Sequence, residues 1–126
     1  MSMITVDVRS RIPIFEQIVA SVEELVLRGM MKPDEQMPSV RALSAELGIN
    51  PNTIQKSYAE LERRGVIYSV ATRGSFVSSD VGELRAKSKA SLLASLEREL
   101  EDAKNKTVTR ADVLSLVERI WRDSND

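Results

Sequence analysis

Asn50, Asn52, Thr53, Gln55 and Lys56 bring amides, a hydroxyl and an ammonium into one short stretch of chain. Asn and Gln can pair bidentately with adenine, and Lys can meet phosphate or guanine. If the stretch is helical with Ile54 at the centre of the buried face, Tyr58 and Leu61 lie within about 40° of it. Asn52, Lys56, Ala59 and Arg63 then point the other way, with Thr53 and Gln55 on the flanks. No acidic side chain interrupts this outer face before Glu60. Its leading end would also offer unpaired amides to a phosphate. Ser39 and Arg41 could hold the nucleic-acid backbone beside it. Arg73, followed by Gly74, could enter a minor groove, where Arg is favoured electrostatically. Taken singly, each group has a plainer explanation. Asn50 and Pro51 suit any helix start, Asn52, Thr53 and Gln55 any solvated first turn, and Arg63 and Arg64 a solvated pair. The combination carries the signal.

Other chemistry is poorly supplied. The 126 residues contain no Cys and no His, so thiolate nucleophiles, imidazole bases, disulfides and the usual zinc ligands are missing together. No motif places Asp, Glu, Lys, Ser or Tyr for catalysis, and we expect neither an enzyme nor a cofactor nor a metal. Lys and Arg total 18 against 19 for Asp and Glu, so any attraction for DNA must be local. No apolar run approaches the ~20 residues of a membrane span. The first residues show no basic segment followed by an apolar block. The expectation is a cytoplasmic protein without a membrane partner.

The elements that position these groups follow from punctuation and period. Residues 1–11 read as extended and partly mobile. Pro13 suits a helix first turn, and Ile14, Ile18, Val22 and Leu25 recur at helical spacing until Gly29. Met30 to Met37, with Pro33, Asp34 and Gln36, reads as a connector. A second helix starts at Pro38-Ser39, carries Val40, Leu43, Ser44 and Leu47 inward, and ends at Gly48. After a tight turn, Asn50 is a good N-cap and Pro51 a good N1 residue for the third helix. Val66–Val70 and Ser75–Ser78 favour strands around a turn at Ala71–Gly74. Beyond Ser79, Leu84, Leu92, Leu96 and Leu100 form one helical stripe. Thr109-Arg110-Ala111-Asp112 resembles a capping box opening a last helix with Val113, Leu116, Val117, Ile120 and Trp121. The fold class expected is mainly α with a small β-hairpin: a winged helix-turn-helix followed by a two-helix C-terminal segment. Domain limits are expected at 1–11, 12–78 and 79–126.

The run Gln36 to Tyr58 strongly resembles the DNA-binding domain of GntR-family transcription regulators. The family's Leu-Pro-Ser-x-Arg-x-Leu-Ala pattern corresponds to Met37–Ser44, its approach to the first strand to Arg64-Gly65-Val66-Ile67, and its wing to Arg73-Gly74-Ser75-Phe76-Val77. Pro13–Ile18 resembles the opening helix. Asn50-Pro51-Asn52-Thr53 and the short tail resemble the YtrA subfamily; the tail suffices for two helices rather than a large effector domain or a fused aminotransferase. The resemblance implies that Ser39 and Arg41 lie near the DNA backbone or base edges, that Asn50, Asn52, Thr53, Gln55 and Lys56 face DNA, and that Arg73 and Gly74 form the wing tip. Pro51 stands where many relatives carry a base-reading Arg, so their operator sequences do not transfer.

The resemblance also implies a homodimer through the C-terminal helices. Val113, Leu116, Val117, Ile120 and Trp121, with Leu92, Leu96 and Leu100, are more apolar surface than such an appendage can cover by itself. The expected function is sequence-specific regulation of transcription, as a repressor dimer on a palindromic double-stranded operator. The competing reading is a winged-helix adaptor for another protein, without DNA specificity. The residues make no case for any effector site.

Overall fold

The computed structural model describes residues 2–122. Pro13, at φ −55°, precedes α1 (Ile14–Leu27), which buries Ile18, Val19, Val22 and Val26. The helix therefore starts one residue later than Pro13 at its first turn would place it. Ser39 caps α2 (Val40–Leu47), its Oγ accepting the Ala42 N–H at 3.0 Å. Gly48 ends α2 at φ +66°, a left-handed conformation that L side chains adopt only with strain. Asn50 then caps α3 (Pro51–Arg63), its Oδ1 accepting the Asn52 N–H at 2.8 Å. The Ser44 hydroxyl donates to the Ile49 carbonyl at 2.5 Å and ties the turn together. The Tyr58 hydroxyl donates to the Pro38 carbonyl at 2.6 Å, joining α3 to the entrance of α2. Burial pushes the ionisation of Tyr58 up, so this donor keeps its proton.

β1 (Ile67–Val70) and β2 (Gly74–Val77) form an antiparallel hairpin with Tyr68 opposite Phe76 and Val70 opposite Gly74. The segment read as a plain connector does more than connect. Asp34 N–H donates to Val77 O at 2.9 Å, Val77 N–H to Glu35 O at 2.8 Å, and Met37 N–H to Ser75 O at 2.8 Å. It covers the free edge of β2, which would otherwise expose unpaired backbone groups. Pro33, Asp34 and Gln36 hide this pairing in sequence because none of them favours strands.

The chain divides into two units, Met1–Ala86 and Lys87–Asp126. The core of the first comes from every element of the winged fold, including Ile18, Val22, Leu43, Ile54, Leu61, Val66 and Val77. It also takes Ile4, which corrects the expectation of a loose N-terminus. Ile4 is buried and Val6 half-buried, with Thr5 exposed between them. Two alternations are too few to announce a strand-like period. Thr5 N–H donates to Ser21 Oγ at 3.3 Å, and both Ser2 N–H and its hydroxyl donate to the Glu46 carboxylate.

α4 (Val81–Lys104) crosses into the second unit, and α5 (Arg110–Trp121) follows. Thr109 Oγ1 accepts the Asp112 N–H at 3.1 Å, and Asp112 Oδ2 accepts the Thr109 N–H at 2.9 Å. The capping box expected here is formed, with Asp in the role more often held by Glu. No described residue from Lys87 onward is buried. Among the described residues, no helix is long and apolar enough to cross a membrane.

Candidate nucleic-acid interface

Asn50, Asn52, Gln55 and Lys56 are all exposed at the leading half of α3, and Thr53 is half-buried. Ile54, Ser57, Tyr58 and Leu61 form the buried side, as the periodicity requires, Ser57 being the addition. Ser57 is buried without penalty because its hydroxyl donates to the Thr53 carbonyl at 2.8 Å. Capping consumes only part of Asn50: Oδ1 is engaged, and its amide nitrogen keeps both donors. Ser39 likewise accepts through Oγ and retains its hydroxyl proton for donation. Arg41 is exposed in the first turn of α2.

Lys56 has a contact the sequence did not suggest. Its Nζ lies over the Phe15 ring, 4.7 Å from the centroid. An exposed cation–π contact of this kind contributes roughly 0.5–1 kcal/mol, too little to hold the ammonium against a phosphate charge. Phe15 thus parks the lysine at the surface and sets the first turn of α1 beside α3.

At the hairpin tip Arg73 is exposed. Its N–H donates to Val70 O at 3.0 Å, while its carbonyl accepts Gln36 Nε2 at 3.0 Å. Gln36 therefore anchors the backbone that carries Arg73, and only the folded hairpin reveals it. Gly74 has φ +111°, and a Cβ there would come within 3.3 Å of Gln36 Nε2. The positive φ favours glycine, and a Cβ would also oblige the Gln36 amide to give by a few tenths of an ångström.

The trailing end of α3 is built differently. Arg63 donates twice to Glu60, at 2.8 and 2.6 Å. Arg64 donates to Glu60 at 2.7 Å and to Glu23 of α1 at 2.8 Å. The hydrogen bonds from the two arginines hold the Glu60 carboxyl down at about 2. These arginines are partnered rather than merely solvated. Among the described residues no group of three or more His, Cys, Asp or Glu could hold a metal ion.

This arrangement of capped α2, protruding α3 and anchored hairpin has known counterparts. The chain matches the family described as "Bacterial regulatory proteins, gntR family" over residues 14–77, just over half its length. The chain belongs to this family. The gntR-family match extends from α1 to the end of β2 and so contains every residue of the candidate interface. The chain is 47 % identical over 78 residues to the HTH-type transcriptional repressor YtrA of Bacillus subtilis, covering 62 % of this chain and 60 % of the relative. It thus spans less than two thirds of that protein. A transcriptional regulator from Oenococcus oeni superposes with a TM-score of 0.78 at 26 % identity, covering 91 % of this chain and 96 % of the other. AraR(DBD) in complex with operator ORX1 superposes with a TM-score of 0.53 at 26 % identity, covering 59 % of this chain and 92 % of the other. The gntR-type winged helix-turn-helix is therefore the fold, with two helices after the wing.

Proposed function

We propose that this gntR-family chain is a sequence-specific transcription regulator, a repressor working in the cytoplasm as a homodimer on a palindromic operator. One observation carries the reading. The leading half of α3 is exposed, free of acids and furnished with Asn52, Gln55 and Lys56, while its opposite side is locked into the core. Asn52 and Gln55 read base edges in the major groove, and Lys56, Ser39 and Thr53 hold phosphates. Arg41 contacts backbone or base edge, Asn50 donates through its free amide hydrogens, and Arg73 with Gly74 addresses the minor groove. YtrA is described as a repressor and AraR(DBD) is bound to an operator, which supports DNA as the partner.

The dimer joins Leu92, Leu96, Leu100, Val113, Leu116, Val117, Ile120 and Trp121 of one copy to those of another. All are exposed except Val113, which is half-buried. Two recognition helices then enter major grooves about one helical turn, or a multiple of it, apart. Selection of bound duplexes from a random pool tests symmetry and specificity together, with a two-fold motif expected. On the selected site, Arg41→Ala and Asn52→Ala should each lose about 1–3 kcal/mol of binding. Unchanged affinity in both variants would refute the assigned face. Failure to bind any duplex DNA would leave the adaptor reading.

A further inference from the structure

The acids of the first unit are distributed unevenly over its cations. Arg28 pairs with Glu24, and Arg63 and Arg64 with Glu60 and Glu23. Arg85 donates to the Leu27 carbonyl at 3.0 Å and closes the end of α1. Arg9, Arg11, Lys32, Arg41, Lys56 and Arg73 have no ion-pair partner among the described residues. Three of these are already assigned to DNA. Arg9 and Arg11 are a further pair, both exposed, on the loop that feeds α1.

That loop leads to the recognition helix. It runs into the turn of α1 whose Phe15 ring lies under Lys56, and whose Phe15 carbonyl lies 3.5 Å from the Ser57 Oγ. Four peptide units separate Arg11 from Phe15, so their Cα atoms are no more than about 15 Å apart. The loop is also held in shape. Gln17 accepts the Asp7 N–H at 2.7 Å and donates to the carbonyls of Asp7 at 3.0 Å and Ile12 at 2.7 Å. Asp7 Oδ1 accepts the Arg9 N–H at 2.9 Å, and Ser10 Oγ accepts the Ile12 N–H at 3.1 Å. The fold uses the backbone of this loop and spares both guanidinium groups. A loop ordered in advance loses little entropy when a ligand docks.

We propose that the Asp7–Pro13 loop is a second DNA-contacting element, with Arg9 and Arg11 binding backbone phosphates that flank the groove occupied by α3. The proposal rests on the DNA-binding reading above and extends its footprint. Asp7 and Glu16 are the nearby acids in the chain, and neither forms an ion pair with Arg9 or Arg11, whose guanidinium groups are planar donor forks suited to phosphate.

The test compares the parent chain with Arg9→Gln/Arg11→Gln and with Lys56→Ala on the selected duplex, between about 50 and 200 mM salt. Each lost phosphate contact lowers the salt slope by about 0.9, so a dimer that loses two in each protomer has its affinity ratio across that range shrunk by roughly a hundredfold. The double variant should show this loss, keep the base preference of the parent, and retain its thermal unfolding. Loss of backbone protection outside the recognition half-sites in a hydroxyl-radical footprint should accompany it. An unchanged slope and footprint, with Lys56→Ala still reduced, would overturn this proposal and spare the wider one. A parent protein that binds no duplex overturns both.

Discussion

The two units spend the same kind of residue in opposite ways. In the first, branched aliphatic side chains from α1, α2, α3, the hairpin and the N-terminal segment converge, and Ile18, Val22, Leu43, Ile54 and Leu61 are fully buried. In the second, Leu92 is 63 % exposed, Ile120 57 % and Trp121 51 %. Helical period is respected in both. A stripe becomes a core only where other elements meet it, and α4 beyond Leu84 and α5 bury none of their residues among those described. A soluble chain rarely leaves such contiguous apolar surface open unless a partner covers it. The winged unit is therefore stabilised from within, whereas the terminal helices leave their apolar side chains open in the single chain.

The most severe challenge to this contrast is Ile120→Asp with Trp121→Asp. Two carboxylates on the open stripe should convert a dimer to monomers in sedimentation equilibrium. Operator affinity should fall by about 10²–10⁴, the range over which linking two binding modules acts. A dimer that survives would place the interface elsewhere. Ile54→Ala tests the other side of the contrast. It removes most of a fully buried side chain and should cost about 2–5 kcal/mol in urea unfolding of the winged unit. A cost below about 1 kcal/mol would mean that α3 is less firmly seated than its burial indicates. Thr109→Ala acts on a helix that buries none of its described residues. Loss of its cap should cost about 1 kcal/mol of helix stability, read as earlier loss of helical signal in the monomeric variant.

Much of this architecture is legible in the chain because it is local. Gly48, Asn50 and Pro51 mark the turn between α2 and α3, and Thr109 with Asp112 marks the start of α5; each acts within three residues of itself. The exposed face of α3 follows from Ile54, Tyr58 and Leu61 alone. What escapes sequence reading joins distant segments. Ile4 enters the core, Gln36 holds the Arg73 carbonyl, and Phe15 lies under Lys56. None of these pairings leaves a periodic trace, since each needs the fold to bring its partners together. The Glu23–Arg64 bridge is of the same kind, whereas Glu60–Arg63 and Glu60–Arg64 sit at the helical spacings of three and four and could have been read.

The finest test of the comparison concerns charge. The Glu60 network belongs to the winged unit, while Lys106–Asp102 is an exposed ion pair in the second unit. Donation from Arg63 and Arg64 takes the Glu60 carboxyl from its ordinary 4.5 to about 2. The folded protein thus binds this proton less readily than the unfolded chain. The contribution to stability is complete above about pH 4.5 and disappears as the pH falls towards 2. Glu60 is half-buried but its partners Arg63 and Arg64 are exposed, so the effect is small and weakens with salt. In thermal unfolding of the winged unit, parent and Glu60→Gln should differ at pH 6 and converge as the pH approaches 2. Convergence at low pH with a persistent gap at pH 6 would assign the network to the winged unit's own stability. A gap that stays constant across the range would show instead that the substitution acts through packing rather than through the charge of Glu60.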